Sequence, residues 1–163
     1  MDSWRARYRP SAGLTGCFFM GLHYVNWMST CSGLEDENIH IEALNWLVGE
    51  SDITESEQTT SYSGSKIHLI SANVKNKGKA TKSISRLGTD ALHKILTELD
   101  SRLDEDNCIH VRLDLLALLG GKVVVTSPGR HQTVKGKFKL EVYPGKTPMD
   151  VATSTIETAL NNI

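Results

Sequence analysis

The sequence predicts an α+β domain in which a mostly antiparallel sheet carries about three packed helices. Three observations point there. Ile109, Val111, Leu113 and Leu115 alternate with His110, Arg112 and Asp114, and residues 133–143 alternate in the same way, as half-buried strands do. Leu92, Ile95, Leu96, Leu99 and Leu103 share one helical stripe. The element order, β-α-β-α-β-β-β-α, ends in successive strands that suit antiparallel pairing.

The 163 residues fit one domain. A chain of this size buries roughly 70% of its unfolded surface, so no metal or disulfide staple is required. With 39% hydrophobic and 23% charged residues, the composition predicts a folded core with mobile segments.

Residues 1–13 read as a flexible basic arm, carrying Trp4, Arg5, Arg7, Tyr8 and Arg9 ahead of Pro10 and Gly13. Residues 14–163 form the single α+β domain. Cys17 to Met28 predicts a strand apolar on both faces. Asp36 to Val48 predicts a helix with Ile39, Ala43, Trp46 and Leu47 inward, acids in its first turn and Gly49 as its close. Residues 50–65 have only Ile53 and Tyr62 to bury and predict a mobile loop. Lys66 to Val74 reads as a strand, and Lys75 to Ser83 as a basic, glycine-containing loop.

The second helix is expected over Asp90 to Leu103 behind a Thr89 cap. Lys122 to Thr126 reads as a short strand turned by Ser127-Pro128-Gly129 into a hairpin with residues 133–143. Leu115 to Leu119 suits a strand end, a short helix or an apolar patch. A last helix starts with Thr147 as cap and Pro148 in the first helical position, and buries Ala152, Ile156, Ala159, Leu160 and Ile163.

Cys17, Cys31 and Cys108 are odd in number and widely spaced, which points to a reducing compartment. The stretch Leu113 to Val125 is too interrupted to span a bilayer. Arg5, Arg7 and Arg9 ahead of Gly16 to Leu22 follow the order of a secretory signal, but the apolar part is short and Pro10, His23 and Asn26 disturb it.

Candidate chemistry is mostly excluded by spacing. Gly145-Lys146-Thr147 imitates the end of a phosphate loop, yet the leading glycine position is Leu140 and Pro148 makes a turn and cap the better reading. Cys17, His23 and Cys31 lack the paired spacing of zinc modules. His40 and Glu42 mimic a deaminase motif without its Pro-Cys-x-x-Cys. Ser63 and Lys66 match an acyl-enzyme pattern in the wrong setting, and Asp104, Glu105 and Asp106 lack the alternation of a calcium loop. No catalytic residue, metal ligand or cofactor is assigned, and a non-enzymatic protein is expected.

Charge placement is more informative. The chain carries 18 Lys plus Arg against 19 Asp plus Glu, so any nucleic-acid binding must be local. Residues 75–86 carry Lys75, Lys77, Lys79, Lys82 and Arg86 and no acid. Residues 115–140 carry Lys122, Arg130, Lys135, Lys137 and Lys139 and no acid. In a strand the last three project from one face, opposite Val134, Phe138, Leu140 and Val142. Such lysines can grip a polyanion, or simply keep a sheet face soluble and unpaired.

The basic arm, the Phe-Phe-Met-Gly-Leu-His-Tyr-Val strand at 18–25, a helix, and the closing strand-turn-helix of Gly136 to Tyr143 and Met149 to Leu160 resemble the small matrix proteins of plant-infecting cytorhabdoviruses. The Met-Asp-Ser-Trp-Arg start is also similar. The resemblance implies a structural protein that condenses nucleocapsid, associates with itself and bridges to membrane. The implied partners are nucleoprotein or RNA, an anionic membrane surface and further copies of the chain. The implied location is the virion and host cytoplasm, with peripheral membrane association. The Pro-Pro-x-Tyr motif of animal-virus relatives is absent, so its role is not implied. The alternative is a cellular RNA-binding or ribonucleoprotein adaptor domain, for which Tyr143 is the clear aromatic beside the lysines.

Overall fold

The computed structural model describes residues 21–32, 36–49, 54–60, 64–126 and 132–163. The predicted arm, with Trp4, Arg5, Arg7, Tyr8 and Arg9, lies outside them, as does Arg130. The described residues form five strands, β1 (Leu22–Ser32), β2 (Thr54–Thr60), β3 (Lys66–Val74), β4 (Cys108–Asp114) and β5 (Thr133–Leu140). Six helices accompany them: α1 (Glu37–Val48), α2 (Lys77–Ser85), α3 (Thr89–Thr97), α4 (Leu99–Arg102), α5 (Leu115–Leu119) and α6 (Pro148–Asn161). The strands make one sheet in the order β2-β3-β1-β5-β4, antiparallel throughout. The expected α+β class is therefore observed, with more helices than the sequence predicts.

Alternation sorts the sheet into two faces. Val25, Trp27, Ser29 and Cys31 of β1 face the core with Ile70, Ala72 and Val74 of β3, and with Val134, Gly136, Phe138 and Leu140 of β5. A register shift between Leu22 and Tyr24 acts as a bulge at His23, so Leu22 is also buried. Helices pack on this face. Trp27 Nε1–H donates to Ser83 Oγ of α2, and Ser29 Oγ lies 2.5 Å from His40 Nδ1 of α1. Ser85 Oγ donates to the Ala159 carbonyl, which ties α2 to α6.

Several expectations change for physical reasons. Residues 75–83 are not a loop: Asn76 Oδ1 accepts from the Lys79 N–H and caps α2, whose buried side includes Thr81 and Ser83 as well as Ala80 and Ile84. Residues 54–60 are not a mobile loop but an edge strand, because pairing with β3 satisfies the backbone without any large buried side chain. Ser56 Oγ also donates to Glu37 Oε2, which lies 3.1 Å from His68 Nδ1. The remaining residues 50–53 and 61–63 lie outside the described set.

In α1, Ile39 and Trp46 are exposed while His40 and Leu44 are buried, so the inward stripe is rotated from the apolar reading. Asp36 caps α1, and Gly49 closes it at φ 79°, a left-handed conformation that glycine adopts freely. The expected helix 90–103 divides at Glu98 into α3 and α4, and Thr89 lies inside α3 rather than capping it. Leu115–Leu119 is a helix capped by Asp114. Residues 122–126 make only an isolated bridge, Leu113 to Val125, and the partners of β5 are β4 and β1. In α6 the Thr147 cap is observed, accepting from the Asp150 N–H at 3.1 Å, but Ile163 is exposed.

The outer edge of β4 is closed. Its Cys108 carbonyl accepts from the Asp104 N–H, and the His110 carbonyl accepts from Arg102 Nη1. Farther along, the Arg112 carbonyl accepts from the Thr126 N–H and the Asp114 N–H donates to Val124.

Candidate nucleic-acid interface

The sheet face turned away from the helices carries the charge. Lys135 and Lys137 project from β5 and are exposed; Lys139, next on that face, is partly buried. The core-facing residues that alternate with them are Val134, Gly136, Phe138 and Leu140, with Val134, Phe138 and Leu140 as the sequence alternation predicts. The strand ends at Leu140, and Val142 beyond it still packs, partly buried, against the core.

Register then brings in residues that the sequence reading did not assign. Lys137 stands between Asn26 of β1 and His110 of β4. Lys135 stands between Met28 and Arg112. This second row crosses all five strands as Glu55, Ser71, Met28, Lys135 and Arg112. Neighbouring strands are about 4.8 Å apart, so the row runs from acid to base over about 19 Å. The face therefore has a positive half on β5 and β4, and an acidic border at Glu55 and Glu57 of β2.

Among the described residues, Lys135, Lys137 and Arg112 have no carboxylate within ion-pair distance. The other basic side chains of the face are partly engaged. Lys139 Nζ donates to the Asp106 carbonyl at 2.5 Å, and His110 Nε2 lies 2.5 Å from Asp104 Oδ2. Partial burial of Asp104 works against its charged form, but hydrogen bonds from His110 and from the Cys108 and Asp106 N–H groups hold its carboxyl below the ordinary range. Burial, with Asp104 nearby, pushes the Cys108 thiol up, which leaves it a poor nucleophile.

The remaining predicted residues lie elsewhere. Lys77, Lys79, Lys82 and Arg86 belong to α2 and its C-cap, in the helical layer on the opposite side of the sheet, and Lys75 lies between the end of β3 and the Asn76 cap. Lys77 Nζ is 3.1 Å from Glu141 Oε1. Lys122 follows α5 and stands outside the β5 row. Tyr143 lies past the end of β5 and donates to Glu141 Oε2. Among the described residues, the aromatic on the lysine face is instead Tyr24, directly opposite Lys139. The alternation of β4 is visible in sequence, but nothing local reveals that its His110 and Arg112 sit beside the lysines.

A family model described as RNA binding matches residues 24–139. The chain belongs to this RNA-binding family. The match spans β1 to β5, and thus every strand of the charged face. Several solved structures similar to this RNA-binding family member come from archaea. A DUF54 protein from Methanothermobacter thermautotrophicus is 26% identical, with 85% of this chain and 98% of that chain covered and a TM-score of 0.69. A DUF54 protein from Archaeoglobus fulgidus, at 24% identity, covers 83% of this chain and 98% of its own with a TM-score of 0.65. One from Sulfolobus solfataricus, at 15% identity, shares the fold over 86% and 99% of the two chains with a TM-score of 0.62. No curated protein matches the chain.

These findings correct the viral reading. The chain is an RNA-binding family member similar to cellular proteins of archaea, not a rhabdovirus matrix protein. A basic arm, a strand, a helix and a closing strand-turn-helix occur in many α+β folds, so element order alone misled. The structural role in condensing nucleocapsid and the virion location fall with it. Nucleoprotein, membrane and self-association as partners lose the support that the resemblance lent them, whereas RNA is supported by the family. No described helix is long and apolar enough to cross a membrane.

Proposed function

We propose that this RNA-binding family member is a non-enzymatic domain that holds RNA phosphates on the positive half of its sheet. Lys135, Lys137 and Arg112 are the principal contacts, with His110 and Lys139 at the margin and Tyr24 and Asn26 alongside for base or sugar. The observation that carries this reading is the acid-to-base row from Glu55 to Arg112, whose cationic end has no carboxylate partner among the described residues. A sheet face that needed only solubility would gain nothing from separating its charges, whereas a polyanion is oriented by them.

The test is RNA binding by fluorescence anisotropy with the full chain and its Lys135→Glu/Lys137→Glu variant at several salt concentrations. The native chain is expected to bind with a steep salt dependence, and the variant to lose about tenfold or more in affinity. Equal binding by both would overturn the assignment to this face. The RNA should be recovered chemically unchanged, and a turnover product would overturn the non-enzymatic reading.

A further inference from the structure

Helix α2 gathers the chain's other basic segment into a stripe. Lys79, Lys82 and Arg86 fall at i, i+3 and i+7 and are exposed, and Lys75 is exposed just ahead of the Asn76 cap. The buried residues Ala80, Thr81, Ser83 and Ile84 take up the rest of the helix circumference, with Ser83 flanking the stripe. Lys77 points off the stripe to Glu141.

This arrangement is unfavourable for the helix by itself. Like charges three and four residues apart destabilise an isolated helix by about 0.2–0.5 kcal/mol per pair. There is no acid in the first turn, and none at all between Lys75 and Arg86. Lys75, Lys82 and Arg86, kept without a carboxylate partner among the described residues, fit an anionic polymer lying along them.

The stripe is also remote from the lysine face. Ser83 bonds Trp27 on the core side of β1, whereas Asn26 and Met28 of the same strand point to the lysine face. The sheet therefore lies between the two positive surfaces. A segment of RNA resting on β5 and β4 cannot reach Lys82 without passing around the molecule.

We propose that α2 carries a second RNA-binding surface, which takes the phosphates of a different RNA segment from the one on the sheet. This rests on the sheet-face reading for its first site and gives the domain two points of attachment to one long RNA. Linked sites raise overall affinity without any new contact, often by about 10²–10⁴-fold.

Titration calorimetry of the full chain with an RNA of about six nucleotides, too short to span both surfaces, tests this in low salt. The native chain is expected to bind two molecules. The Lys135→Glu/Lys137→Glu variant keeps one, and a Lys75→Glu/Lys82→Glu variant keeps the other. With RNA of about fifty nucleotides, each variant falls at least tenfold below the native chain. A Lys75→Gln/Lys82→Gln variant gives the same pattern should charge reversal disturb folding. One molecule bound by the native chain, with the α2 variants unaffected, overturns the second surface and leaves the sheet site standing. One molecule retained by the sheet variant and none by the α2 variants overturns the sheet site instead. No binding by the native chain overturns both.

Discussion

The indole N–H of Trp27 donates to Ser83 Oγ at 2.7 Å, and both side chains are completely buried. This bond joins the central strand of the sheet to α2, and so fixes the position of the helical lysine stripe relative to the lysines on the far face. The ring also meets Phe138 edge to face, with centroids 5.5 Å apart.

Ser83→Ala leaves the indole N–H buried without a partner and is expected to destabilise the fold by about 1–3 kcal/mol. Urea unfolding measures the loss. Trp27→Phe removes the donor along with part of the ring, so in the double variant the Ser83→Ala cost should shrink. Strictly additive losses would mean that the bond contributes nothing.

Gly136 faces Trp27 across the β1–β5 pair, and a β-carbon there would lie 2.5 Å from Trp27 Cζ3 and 2.9 Å from Cε3. The glycine makes room for the ring in the middle of a strand. Gly136→Ala is expected to cost about 1–3 kcal/mol through overpacking, despite the better strand propensity of alanine. An unchanged denaturation midpoint would show that the ring moves aside freely.

Arg112→Gln tests the contribution of β4 to the RNA site. A phosphate contact should weaken binding about equally for all sequences, and the slope of log affinity against log salt should become shallower by about 1. Loss confined to particular sequences would instead assign Arg112 to base recognition.

The Glu141 carboxyl is held below the ordinary glutamate range, chiefly by the hydrogen bond from Tyr143 and also by Lys77 and His23. A depressed carboxylate stabilises the fold fully above its unfolded value, about 4.3, and that contribution disappears as the pH falls through the lower folded value. Glu141→Gln is therefore expected to reduce the acid sensitivity of stability between pH 5 and 3. An acid denaturation profile identical to that of the native chain would refute the assignment.

Much of the architecture is legible in the sequence because periodic apolar residues report burial directly. The strand at 66–74, the alternation of β4 and β5, and the capped last helix are examples. Several of the failures share one cause: polar residues with structural work. Thr81 and Ser83 are buried in α2, His40 bonds Ser29 beneath α1, and β2 is held by its backbone, so none leaves an apolar pattern. The site was legible only by strand. Lys135, Lys137 and Lys139 announce their shared face through alternation, but Arg112, His110 and Tyr24 join them through non-local register, which depends on pairing across more than twenty residues of intervening chain.

The stitched border of β4 gives the domain a directional ending. With the carbonyls of Cys108, His110 and Arg112 already occupied, a visiting strand has little to zip onto beside the lysines. Crowding many copies along one transcript should therefore not seed cross-β fibres from that margin.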